Sequence, residues 1–175
     1  MDNKTDLRIR AKSIRKNLDI NSISLFFVEK IRQLDYYQKA KNILLFYPMK
    51  YEINLLPLLD DEKNFYFPKV YEEQLLICPY KKGDIVINSE LNIKEPCSNP
   101  VNPQILDLVI VPALMADSQG FRLGYGGGFY DRFLAENPHV KTVLPIPEEL
   151  YVEKLPRDEF DIPVDYVIVK KRLKN

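Results

Sequence analysis

Leu7, Ala11, Ile14 and Leu18 recur at three- and four-residue intervals through an otherwise basic stretch, and this period predicts an amphipathic helix over residues 4–18. Ile23, Phe26, Phe27, Ile31 and Leu34 repeat the pattern after Ser22, which would serve as N-cap, and a third short helix is expected over residues 35–41. The period then changes. Ile43 to Tyr47 is a continuous apolar run closed by Pro48, which reads as a buried strand, and ligands of open α/β sheets bind at such strand ends. Glu52 opens an amphipathic stretch, Ile53 to Leu59, where a carboxylate would favour a helix N-terminus. Phe65 to Val70 and Leu75 to Tyr80 read as two further strands, with Lys81 to Asp84 as the turn after them. Ile93-Lys94-Glu95-Pro96 reads either as a loop whose proline keeps Glu95 extended or as a ligand contact.

Leu106 to Val111, the most apolar run, is expected to be a central parallel strand, with Ala113 to Gly120 a loop carrying Asp117 onward. A helix follows Gly128 and stops before Pro138, Val140 to Leu144 forms a strand, and Pro147 opens a helix at its first position. Tyr166 to Val169 is the last strand, ahead of a solvated basic tail, Lys170 to Lys174. Strands alternating with helices predict a three-layer α/β domain with a largely parallel central sheet. A length of 175 residues suits one domain, 1–175.

Composition narrows the function classes. Net charge is zero, so no global field attracts nucleic acid and any basic surface is local. Cys78 and Cys97 are too far apart for a C-x-x-C site, and with His139 as the single histidine no ordinary zinc set can be assembled. The charged segment from Asp2 to Lys16 holds no secretory apolar core, and no apolar run approaches a membrane span, so a cytoplasmic protein without membrane partners is expected.

The chemistry concentrates in one place. Five of the six glycines, Gly120, Gly124, Gly126, Gly127 and Gly128, fall within nine residues. Glycine admits positive φ and close approach to backbone amides, so such a cluster at a helix start suits an anion cradle. Arg122 and Arg132 add positive charge at its two ends, Phe129 and Tyr130 offer stacking surface, and Asp131 could hold a divalent cation against a phosphate. The spacing matches neither the dinucleotide fingerprint nor the P-loop, and a solvated loop capping a helix is the alternative. Lys4 and Arg8, four apart on one helical face, could reach a single polyphosphate.

Arg122-Leu123-Gly124-Tyr125-Gly126-Gly127-Gly128-Phe129-Tyr130-Asp131-Arg132-Phe133-Leu134 closely resembles the signature of the 5-formyltetrahydrofolate cyclo-ligase family, also called 5,10-methenyltetrahydrofolate synthetase. The resemblance runs from Lys4 to Val169 and includes Lys4-Thr5-Asp6-Leu7-Arg8, which matches the family's opening K-x-x-L-R pattern. It implies a sugar-phosphate-isomerase/CoA-transferase-like fold and ATP- and Mg²⁺-dependent conversion of 5-formyltetrahydrofolate to 5,10-methenyltetrahydrofolate. It implies Arg122 as the catalytic charge partner, and Lys4, Arg8, Arg122, Leu123, Gly124, Tyr125, Gly126, Gly127, Gly128, Phe129 and Tyr130 around ATP. Tyr47, Glu52, Tyr125 and Phe129 would meet the folate, and Asp131 and Asp161 the metal. The expected partners of this monomer are small molecules, reduced folate and ATP, without nucleic acid.

Four positions depart from the family pattern. Gly127 stands where a lysine is frequent, and Met115-Ala116-Asp117 replaces an A-F-D sequence. Phe160-Asp161 keeps the acid of an H-D pair without its imidazole, and Val169 replaces a threonine. Two rivals stay open on the residues: an enzyme of the same fold acting on another substrate, such as a sugar phosphate, and an RNA- or nucleotide-binding protein using the helix of Lys4 to Lys16.

Overall fold

Alternation along short central strands divides the apolar side chains between two cores, one on each face of a sheet. The computed structural model describes residues 2–172, so the end of the basic tail, including Lys174, lies outside the described residues. Three helices come first: α1 (Lys4–Arg15), α2 (Ile20–Gln33) and α3 (Asp35–Lys39). The strands β1 (Asn42–Leu44), β2 (Asn64–Tyr71), β3 (Gln74–Tyr80), β6 (Leu108–Ile110), β9 (Lys141–Pro147) and β11 (Tyr166–Lys170) make the main sheet. Its order is β11-β9-β6-β1-β2-β3, parallel throughout except for the β2–β3 hairpin. The hairpin of β4 (Val86–Asn88) and β5 (Lys94–Pro96) and a small sheet of β7 (Met115–Asp117), β8 (Arg122–Leu123) and β10 (Tyr151–Val152) complete the strands.

Ile43 pairs with Phe65 and Leu108, and these three join Phe27 and Ile31 of α2 in one core. Leu44 pairs with Tyr66 and Val109, and these join Leu7 and Ala11 of α1 with Phe133 and Leu134 of α4 (Phe129–Glu136) in the other. Helices therefore cover both faces, which is the expected three-layer α/β arrangement. From β1 the chain passes to β2 on one side and later to β6 on the other, so the end of β1 is a switch point where open sheets leave a crevice.

Several expectations need correction. Helix α2 begins before Ser22, because the Asp19 carboxylate accepts the Ser22 amide and caps the helix. The amphipathic stretch at Ile53 is only a 3-10 turn, Leu56–Asp60, with Pro57 in its first turn. The helix expected at Pro147 is a single 3-10 turn, Glu148–Leu150, because Tyr151 at once enters β10. The Ala113 to Gly120 loop contains β7, and Glu95 lies in β5, buried, with a carboxylate that accepts the Val70 amide at 2.6 Å.

Asp117 explains why β7 ends where it does. Its carboxylate is fully buried and accepts the amides of Gln119, Phe121 and Leu155, with Arg157 at 3.2 Å. One side chain thus ties the approach to the glycine cluster to the segment leading to Asp161. At the same junction Gly120, at φ +86, stacks so closely on Val164 that a Cβ there would sit 2.6 Å from its carbonyl oxygen.

Candidate functional site

Phe46 and Tyr47, just past β1, and Pro112, past β6, open a cleft of about 480 Å³ at the C-terminal ends of the parallel strands. That volume is in the range of small-molecule sites. Pro68 and Val70 of β2, Leu75 of β3 and the tip of the β4–β5 hairpin add apolar lining. Every site residue expected from the sequence, from Lys4 and Arg8 through Tyr47, Glu52 and the run Arg122 to Asp131 to Asp161, lines this one cleft.

The glycine cluster meets it as a loop with positive φ at Gly126 (+108) and Gly128 (+70). Gly128 caps α4 in the left-handed conformation without a side-chain hydrogen bond, and the amides of residues 126–128 find no acceptor among the described residues. Unpaired amides at a helix start favour an anion there. Gly127, where the family often has lysine, has a local reason: a Cβ would lie 2.5 Å from the Phe129 ring.

Two arginines face this loop. Arg8 donates from Nε to the Gly124 carbonyl at 2.8 Å, and Arg122 donates to the Pro112 carbonyl at 3.0 Å while its guanidinium lies 5.1 Å from the Tyr130 ring centroid. Neither takes part in an ion pair among the described residues, and the buried Nε of Arg122 has no partner. Burial lowers the proton affinity of Arg122, while Asp131 and Asp161 pull it back up. Arg132, expected at the exit of the cluster, turns away: its Nε donates to the Glu73 carbonyl at 3.0 Å and its guanidinium covers Phe129.

Lys4 is already occupied. Its ammonium lies 2.7 Å from Asp158 and 2.8 Å from Asp161. Burial would raise the Asp161 pKa, but Lys4 and the Asp158 amide hold it below the ordinary carboxylate value. Asp131 accepts the Ile162 amide at 3.1 Å through one oxygen. Among the described residues no cluster of three or more Asp, Glu, His or Cys could hold a metal by itself. Mg²⁺ arriving on a nucleotide needs only one or two carboxylates beside phosphate oxygens and water, and Asp131 and Asp161 both line the cleft.

The other side of the cleft is built on Glu52. It lies in a turn after Tyr51, at φ +68, rather than at a helix start, and is 8% exposed. One carboxylate oxygen accepts the Met49 amide at 2.7 Å, the other the Tyr125 hydroxyl at 3.1 Å. Burial pushes the Glu52 carboxyl above its ordinary value, against the pull of the Met49 amide and Arg15. The Tyr125 and Tyr130 hydroxyls are also raised, chiefly by burial, so both are neutral donors at physiological pH. Sequence reading missed Met49, Asp158 and Leu91 in the lining, and Arg15 behind Tyr125, whereas Ile93, Lys94 and Glu95, for which a ligand role was open, do line the cleft. Arg15 alone had left a trace, since it falls on the Leu7, Ala11 and Leu18 stripe.

Comparison with known proteins identifies the family. The sequence profile of the 5-formyltetrahydrofolate cyclo-ligase family matches residues 3–170. The chain is 30% identical to the 5-formyltetrahydrofolate cyclo-ligase of Haemophilus influenzae over 93% of its own length and 95% of that protein's. The Escherichia coli K12 protein of the same name is 32% identical over 77% of this chain and 80% of that one. Among solved structures, Aquifex aeolicus 5,10-methenyltetrahydrofolate synthetase superposes with a TM-score of 0.80 at 31% identity, covering 95% of this chain and 89% of the other.

Proposed function

Because the chain belongs to the 5-formyltetrahydrofolate cyclo-ligase family, we propose that the cleft between Glu52 and the glycine cluster is where it closes 5-formyltetrahydrofolate to 5,10-methenyltetrahydrofolate, using ATP. The observation that carries this reading is the pair of unpaired guanidinium groups, Arg8 and Arg122, set against a loop of unpaired amides with Glu52 lining the same cleft. One end of the cleft suits phosphates and the other a polar heterocycle.

The formyl oxygen of the substrate is a poor leaving group. Its attack on the γ-phosphorus displaces ADP and leaves an imidate-like phosphate. N10 then attacks the formyl carbon, the C–O bond breaks with release of phosphate, and N10 loses its proton as the methenyl bridge forms. Positioning and neutralisation of charge dominate such chemistry, and no protein nucleophile is required. Arg122 neutralises the transferring phosphoryl group, and Arg8 and Lys4 hold the polyphosphate. Asp131 and Asp161 would hold Mg²⁺, which supplies further neutralisation of the phosphate oxygens when bound. Glu52, its carboxylate aimed by the Met49 amide, accepts N–H groups of the pterin, with Tyr47, Tyr125 and Phe129 as flanking aromatic surface.

Lys4 and Arg8 of α1 line the cleft, which favours a nucleotide over RNA as their ligand. The lining residues run from Lys4 to Asp161, so the reading takes residues 1–175 as one domain, with a monomer as the expected state. No helix among the described residues is long and apolar enough to cross a membrane. ATP as substrate supports a cytoplasmic location. The deciding experiment follows methenyl absorbance during incubation with 5-formyltetrahydrofolate, ATP and Mg²⁺. Absorbance should rise in step with ADP, and ADP release prompted by a sugar phosphate but not by the folate would defeat the reading.

A further inference from the structure

Arg15 is the last residue of α1 and only 8% exposed, yet it takes part in no ion pair among the described residues. Its Nη1 donates to the Tyr125 hydroxyl at 2.7 Å, and that hydroxyl donates onward to Glu52 at 3.1 Å. The guanidinium carbon lies 5.7 Å from the Tyr125 ring centroid. Arg15 Nε is buried without a partner, and Arg15 and Glu52 both line a recess of about 20 Å³ behind the cleft. The recess is mostly apolar, with Arg15 and Glu52 as its charged lining residues, and it has room for about one water, which would satisfy such an orphan donor. Burying a guanidinium without a carboxylate directly against it is costly, so a purely structural reason for an arginine in the apolar stripe of α1 is weak.

We propose that Arg15 is a positioning residue for reduced folate: through the Tyr125 hydroxyl it holds the Glu52 carboxylate, and Tyr125 itself, in the geometry that receives the substrate. The inference rests on the assignment of Glu52 to the folate end of the cleft. The groups that bear on Glu52 are Arg15 from α1, Tyr125 from the glycine loop, Tyr130 from α4 and the Met49 amide from its own turn. Arg15 is the one formal positive charge among them, so it opposes the effect of burial and favours the carboxylate over the acid.

The test measures calorimetric affinities of the full chain for 5-formyltetrahydrofolate and, separately, for a non-hydrolysable ATP analogue with Mg²⁺. Arg15→Met should weaken folate about tenfold to a hundredfold, the worth of a hydrogen bond to a charged group, and leave the analogue unchanged within twofold. Adding Tyr125→Phe should cost little more, because both substitutions break the same chain of bonds. The pH below which folate affinity falls should also move upward in Arg15→Met, a shift that loss of packing alone would not cause. Unchanged folate affinity, or equal loss for both ligands, overturns the proposal. Should Arg15→Met fail to fold, Arg15→Lys decides by the same two affinities, with severalfold weaker folate expected and unchanged folate overturning it. Glu52→Gln separates the two levels of argument. If it leaves folate affinity intact, the folate site itself is misassigned; if it weakens folate while Arg15→Met does not, only the role of Arg15 falls.

Discussion

Lys4 Nζ lies 2.8 Å from Asp161 Oδ2, so the cation assigned to ATP and a carboxylate assigned to its metal neutralise each other before nucleotide arrives. Asp158 shares the ammonium at 2.7 Å. MgATP would exchange both partners at once, giving Lys4 a phosphate and Asp161 the cation. Lys4→Ala combined with Arg8→Ala should therefore raise the ATP concentration for half-maximal rate and leave that for folate nearly unchanged. Equal rises for both substrates would indicate damage to α1 instead.

Arg122 is the charge that the transferring phosphoryl group would meet. Arg122→Ala should lower turnover by on the order of a hundredfold or more, with the melting temperature close to that of the parent. Near-normal turnover would remove Arg122 from the chemistry.

Asp131→Asn and Asp161→Asn should each raise the magnesium concentration needed for half-maximal activity. If the two side chains share one ion, the double variant should fall short of the sum. Unchanged magnesium dependence in both single variants would leave the phosphates alone to hold the cation.

Glu52 gives a pH prediction of opposite sign to an ordinary surface carboxylate. Burial raises its pKa in the folded chain, so the folded state binds the proton more readily than the unfolded one. Its contribution to stability is complete below the unfolded value, about 4.3, and is lost as pH rises through the folded value. Glu52→Gln should therefore melt higher than the parent near neutral pH, by about 2–4 °C per kcal/mol regained, with the difference shrinking on acidification. The same variant should bind folate more weakly. A melting difference that grows on acidification would contradict the sign.

Gly120→Ala probes the junction outside the cleft. With φ at +86 and a Cβ 2.6 Å from the Val164 carbonyl oxygen, the substitution combines strain with a backbone clash. A loss of about 1–3 kcal/mol is expected, read as a fall in melting temperature. A melting point within a degree of the parent would mean that the chain relaxes there freely.

Long apolar runs were legible. Leu106 to Val111 and Ile43 to Tyr47 announced the sheet, and α1 and α2 followed their periods. What escaped was short or held by tertiary contacts. Strands β7 and β8 have too few residues for a period, and β7 is fixed by the buried Asp117 rather than by its own pattern. Glu52 lines the cleft but from a different element than expected, because Pro57 and the positive φ of Tyr51 give a turn where amphipathicity suggested a helix. The glycine cluster was visible because its chemistry is contiguous. Arg15 left only its place on the α1 stripe, because its hydrogen-bond partner, Tyr125, is 110 positions away.

The tie between Lys4 and Asp161 spans 157 positions, so its two partners are made far apart in time. At ordinary elongation speeds roughly 10–30 s separate the appearance of these residues on the ribosome. Until Asp158 and Asp161 are made the Lys4 ammonium lacks both carboxylate partners, and for the earlier part of that interval Leu7 and Ala11 also lack α4 to cover them. A nascent chain halted before α4 therefore leaves the apolar stripe of α1 short of partners and is a candidate for chaperone capture, and one halted before Asp158 still lacks the tie that holds Lys4 at this side of the cleft.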